Sequence, residues 1–130
     1  PLDQQALAAT VIGRHQLSPH LVTVTLGDIG DFPTAGVAAV VWLDDAGHIK
    51  RAGIGLTGVA EAPFAATDAE AVLVGNAPTD ELFRAAGAAA GAQSRPAGDV
   101  RGSIEYKRAM AAELTVRALR RAVARALAYA

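Results

Sequence analysis

Two apolar runs meet across a four-residue turn signal, and no other feature of the sequence limits the fold as strongly. Gly36-Val37-Ala38-Ala39-Val40-Val41-Trp42-Leu43 precedes Asp44-Asp45-Ala46-Gly47, and His48-Ile49-Lys50-Arg51-Ala52-Gly53-Ile54-Gly55-Leu56 comes after it. Asp and Gly supply turn conformations that bulky side chains resist, so the runs are predicted to pair as an antiparallel hairpin. Upstream, residues 20–26 alternate Val22, Val24 and Leu26 with Thr23 and Thr25, and Gly27 and Gly30 lie just beyond. That pattern predicts a short additional strand.

Beyond the hairpin the period becomes helical. Thr67-Asp68-Ala69-Glu70 has the form of a capping box, in which the Thr oxygen and the Glu carboxylate satisfy reciprocal backbone N–H groups, and Gly75 is the predicted stop. Thr79 is the expected N-cap of a second helix, with Asp80 and Glu81 in its first turn and Gly91 near its end. Its small-residue face is predicted to pack closely on a neighbour. Residues 94–102 hold Pro96, Gly98 and Gly102 and read as a loop. Ser103 then caps a long last helix, whose buried stripe is expected to be Tyr106, Met110, Leu114, Leu119, Val123 and Leu127.

Strands precede helices, which is an α+β signature: a small antiparallel sheet of about three strands, packed against about three helices, the last one long. At 130 residues the chain suits one domain, 1–130, with a single core. Only 5% of residues are aromatic while 52% are apolar, so that core must be aliphatic and closely packed. Residues 101–130 hold seven Lys/Arg against two Glu, net +5, and residues 1–100 hold five against eleven acids, net −6. The two parts are expected to attract each other.

Several chemistries find no support. The chain has no cysteine, which excludes disulfides, thiolate metal sites and a cysteine nucleophile, and fits a reducing, cytoplasmic setting. No apolar stretch reaches the roughly 20 residues of a membrane helix, and no basic-then-apolar leader pattern opens the chain. Gly53-Ile54-Gly55-Leu56-Thr57-Gly58 matches G-x-G-x-x-G, but the strand before it belongs to a hairpin and Pro63 interrupts the segment after it, so the glycines read as strand-end residues. His15, His20 and His48 have no metal-ligand spacing, and Asp44 and Asp45 are turn residues rather than paired acids. Arg117, Arg121 and Arg125, with Arg120 beside them, form a basic stripe that reads as a solvated helix face. A net charge of −1 and few aromatics argue against nucleic acid as a partner. No catalytic residue and no metal ligand is assigned.

Asp31-Phe32, Ala35-Gly36-Val37-Ala38-Ala39, the segment Arg51-Ala52-Gly53-Ile54-Gly55-Leu56-Thr57-Gly58-Val59, and Asp99-Val100-Arg101-Gly102-Ser103-Ile104-Glu105-Tyr106-Lys107-Arg108 occur here in that order. Together they resemble the C-terminal domain of the FAD-binding medium subunit of molybdenum hydroxylases, of the carbon monoxide dehydrogenase and xanthine dehydrogenase type. The resemblance spans residues 31–126. It implies a small antiparallel sheet covered by helices, within a subunit that passes electrons from iron–sulfur clusters through FAD while substrate is oxidised at a molybdenum cofactor in another subunit.

The glycine-rich FAD-binding loops of that subunit are absent from this sequence. Leu26-Gly27-Asp28-Ile29-Gly30 also stands where the family has a Lys and paired Arg approaching the flavin. No cofactor is therefore expected on this chain alone, and FAD belongs to the family's complete subunit. The residues that carry over are structural: Asp99, Arg101, Ser103, Glu105 and Tyr106 match the motif that joins the last loop to the last helix. The implied partners are iron–sulfur and molybdenum-cofactor subunits or a separate FAD domain, with self-association left open. The alternative reading is a free-standing interaction module that keeps the fold without FAD or redox activity.

Overall fold

A computed structural model of the chain describes residues 22–26, 35–98 and 102–128. Four strands, β1 (Val22–Leu26), β2 (Ala35–Leu43), β3 (Ile49–Thr57) and β4 (Phe64–Ala65), form one sheet in the order β1-β2-β3-β4. Three helices come next: α1 (Thr67–Leu73), α2 (Asp80–Gln93) and α3 (Ile104–Ala128). All strand pairings are antiparallel. The α+β architecture expected from the sequence is therefore present. The two-residue β4 is an addition, too short to produce a period of its own.

The hairpin turn is organised by Asp44. Its Oδ1 accepts the N–H groups of Ala46 and His48, both at 2.9 Å, while its backbone N–H donates to His48 O at 2.9 Å. Gly47 takes φ 86°, a left-handed conformation that costs glycine little. Across β2 and β3 the register sets Val37 opposite Leu56, Ala39 opposite Ile54 and Val41 opposite Ala52. All six are buried in the main core. The alternate positions Ala38 and Val40 are buried too, in a small separate cluster with Trp42. Burial on both faces explains why β2 reads as one continuous apolar run.

α3 lies across β2 and β1, α1 lies against β3, and α2 packs on both of the other described helices. The close approach predicted for α2 is met by two glycines. A Cβ on Gly87 would stand 2.6 Å from the Ala112 carbonyl oxygen, and one on Gly91 would stand 2.9 Å from that of Arg108. Thr79 caps α2 as expected, its Oγ1 accepting the Leu82 N–H at 3.2 Å. The charge asymmetry has a physical counterpart in Arg120, whose Nε and terminal nitrogen each donate to Asp80 at 2.8 Å, tying α3 to the start of α2.

Two expectations need correction. No side chain of its own caps α1, because Ala66 holds the cap position, Thr67 is already helical, and the Glu70 carboxylate is drawn to the sheet. Gln93, at the end of α2, supplies the missing partners: its Oε1 accepts the Asp68 N–H and its Nε2 donates to Thr67 Oγ1, both at 3.2 Å. The stripe of α3 also differs at its ends. Met110, Leu114, Leu119 and Val123 are buried as predicted, but Tyr106 is 50% and Leu127 55% exposed. The buried seam runs instead through Lys107, Ala111, Thr115, Ala118, Ala122 and Ala126. Each exposed residue is one position, about 100° of helix rotation, off that seam.

Candidate functional site

Of the motif from residue 99 to 108, the described residues 102–108 lead into α3. Asp99 and Arg101 lie outside the described residues. Ser103 caps the helix as predicted, its Oγ accepting the Tyr106 N–H at 3.1 Å and its carbonyl accepting the Lys107 N–H at 3.0 Å. Glu105 is an exposed first-turn acid, favourable beside the positive end of the helix dipole. Tyr106 does not enter the core: its ring lies on Gly102, where a Cβ would come within 2.5 Å of Cδ2.

Lys107 is the residue of this motif that sequence reasoning left out of the site. It is 5% exposed, and its Nζ donates to the Ala97 carbonyl at 2.7 Å, holding the loop against α3. The signal was available, since Lys107 precedes Met110, Ala111 and Leu114 at i+3, i+4 and i+7. At its other end the loop is fixed by Ser94, whose Oγ–H donates to Ala90 O at 2.9 Å, and by Arg95, whose N–H donates to Val59 O at 2.8 Å.

The other candidates resolve into structural roles. Gly53 and Gly55 lie within β3 opposite Val40 and Ala38, so these glycines belong to a strand ladder and open no helix. His48 is an exposed turn neighbour, while His15 and His20 lie outside the described residues. Among the described residues no three His, Cys, Asp or Glu side chains gather as a metal site. Nor is any described helix long and apolar enough to cross a membrane. Arg117, Arg121 and Arg125 are exposed along α3, and Arg117 pairs with Glu113 at 3.4 Å. The Arg120 hydrogen bond holds the Asp80 carboxyl below the usual carboxylate range and raises the Arg120 guanidinium in turn.

An open cavity of about 420 Å³ lies between β3 and α1, lined by Lys50, Arg51, Ala52, Thr67, Glu70, Ala71 and Val74. Its buried acid, Glu70, accepts the Ile54 N–H through Oε2 at 2.9 Å. That carboxylate therefore completes the sheet edge.

The sequence and the fold both recur in known proteins. The family model of the CO dehydrogenase flavoprotein C-terminal domain matches residues 28–122. The carbon monoxide dehydrogenase medium chain of Afipia carboxidovorans is 46% identical over 98 residues, covering 75% of this chain and 34% of that one. The medium chain of Hydrogenophaga pseudoflava is 41% identical over 96 residues, covering 74% and 33%. A reconstituted CO dehydrogenase from Oligotropha carboxidovorans superposes with a TM-score of 0.76 at 38% identity, covering 84% of this chain and 39% of that chain. The chain thus spans about a third of the length of the curated relatives it matches.

Proposed function

The chain belongs to the family of CO dehydrogenase flavoprotein C-terminal domains, and on that premise we propose that it acts as the non-catalytic C-terminal domain of the FAD-carrying medium subunit of a molybdenum hydroxylase. Its role there is to support FAD-mediated electron transfer and subunit packing. The observation that carries this reading is the agreement in fold with a CO dehydrogenase structure over 84% of the chain at a TM-score of 0.76.

The described residues do not fit FAD by themselves. A Rossmann-type cradle presents unpaired glycine N–H groups at a helix N-terminus, whereas the G-x-G-x-x-G glycines here lie in and just after β3. The charged groups with described partners serve the fold: Glu70 at the sheet edge, Lys107 on the loop, Asp80 and Arg120 between helices. The flavin is accordingly held by the rest of such a subunit, and this domain contributes shape and contact surface. Its partners are a flavin domain and, beyond it, iron–sulfur and molybdenum-cofactor subunits, in the cytoplasm.

The test is to purify the chain and titrate FAD, following flavin fluorescence, alone and with the flavin-carrying portion of a CO dehydrogenase medium chain. Binding to that portion, with no stoichiometric flavin on the chain alone, is the expected result. One FAD per chain bound at micromolar concentration without a partner would overturn it. Failure to bind the flavin-carrying portion would favour a free-standing interaction module.

A further inference from the structure

Four large apolar side chains are exposed among the described residues: Val74 at 48%, Ile104 at 41%, Tyr106 at 50% and Leu127 at 55%. A surface hydrophobe alone needs no explanation. Val74 and Leu127 each stand singly at the end of a helix, whereas Ile104 and Tyr106 share the first turn of α3. We propose that Ile104 and Tyr106 are the anchors by which this domain docks on the flavin-carrying part of the medium subunit, an inference that rests on the function proposed above.

Four contacts fix how the pair is presented. The Tyr106 ring is seated on Gly102, where any Cβ would collide with Cδ2. Ser103 caps the turn beneath both residues, and buried Lys107 holds the adjoining loop through Ala97 O. The loop in turn brings Gly98 alongside Ile104, whose Cγ1 stands 3.8 Å from the Cβ position of that glycine. A half-exposed ring already held in place loses little freedom on binding, and rigid aromatic side chains of this kind dominate interface energetics.

Ile104 and Tyr106 are two positions apart, roughly 200° around the helix. They flank the end of α3 and do not form one stripe along its side. The occupant must therefore embrace the helix end. The matched medium chains are about three times as long as their match to this chain, so about two-thirds of such a subunit lies outside the matched region and is available to pack against this domain. Those flavin-carrying two-thirds are the occupant assigned here.

The test measures binding of the chain to the separately expressed flavin-carrying portion of a CO dehydrogenase medium chain by calorimetry. Tyr106→Ala and Ile104→Glu are each expected to weaken binding about tenfold or more, with thermal melting of the variants within a few degrees of the parent. Gly102→Ala, which displaces the ring without removing it, is expected to weaken binding as well. Val74→Glu and Leu127→Glu are expected to bind like the parent. If the parent binds and Tyr106→Ala and Ile104→Glu bind equally well, the docking inference alone is overturned. If the parent itself does not bind, both it and the proposed function fall.

Discussion

The carboxylate of Glu70 accepts the backbone N–H of Ile54 at 2.9 Å, so a helix side chain completes hydrogen bonding at the outer edge of β3. β4 pairs only with Gly55 and Leu56, and the Ala66 N–H donates to the Ile54 carbonyl at 2.8 Å. Further along, Gly75 and Asn76 close on Ile49 through bonds of 2.7 and 2.9 Å. α1 and its flanks thus replace an edge strand, which leaves little backbone for another chain to pair with.

Removing the Glu70 acceptor leaves a buried N–H unsatisfied. Glu70→Ala is expected to lower stability by about 1.5–3 kcal/mol, the range for a hydrogen bond to a charged group. Glu70→Gln keeps an oxygen on the same stem and is expected to lose less. Urea denaturation of the three proteins, with hydrogen exchange at the Ile54 amide, checks the order.

Gly87→Ala reverses a familiar sign. In an exposed helix interior the change stabilises by about 1 kcal/mol, but here the new methyl meets the Ala112 carbonyl oxygen at 2.6 Å and Val116 Cγ2 at 2.9 Å. A backbone group cannot rotate away, so α2 and α3 must separate, and destabilisation of about 1–3 kcal/mol is expected. The exposed neighbour Ala88 keeps the ordinary preference, so Ala88→Gly is expected to cost about 1 kcal/mol. Thermal melts check the pair: both variants are expected to melt below the parent, although one gains a methyl group and the other loses one.

The Asp80–Arg120 pair predicts a pH dependence. The Arg120 hydrogen bond, then its charge, lowers the Asp80 pKa on folding, against an opposing effect of desolvation. A depressed folded value means that the carboxylate contributes stability above its unfolded pKa, about 3.9, and loses it as pH falls through the folded value. The melting-temperature difference between the parent and Asp80→Asn is therefore expected to hold steady near neutrality, to begin shrinking as pH approaches the unfolded value, and to vanish only below the lower folded one. Because both groups are exposed to solvent, about 1 M salt is expected to shrink the difference at pH 7.

Where an element is specified by its own residues, the sequence was legible. Asp44 and Gly47 make the hairpin turn with their own groups, and Thr79 caps the helix it precedes. Where tertiary partners compete, local rules gave the wrong answer. Thr67 and Glu70 have capping-box spacing, yet Gln93 and Ile54 claim them across 26 and 16 residues of sequence. In α3 a stripe of large side chains misidentifies its own ends, because the seam against the sheet is built largely of alanines. At the junction, the cap of Ser103 is local and was foreseen. The burial of Lys107 follows its spacing to Met110, Ala111 and Leu114, whereas the exposure of Tyr106 depends on where Gly102 lies, which spacing alone does not fix.

Lys107 supplies the last prediction. Its stem is buried with the α3 seam while its ammonium group reaches the Ala97 carbonyl at 2.7 Å. Lys107→Met keeps an unbranched stem of similar length and deletes the donor. It therefore separates the contacts of the ammonium group from packing, and a loss of about 1.5–3 kcal/mol is expected for a charge-assisted, partly buried bond. The loss has a local signature: amide exchange in residues 95–98 is expected to accelerate before that of the β2–β3 ladder, since the loop is released while the sheet retains its own bonds. Uniform acceleration across the domain would instead make Lys107 a general core residue, and unchanged exchange in the loop would show that Ser94 and Arg95 hold it without help.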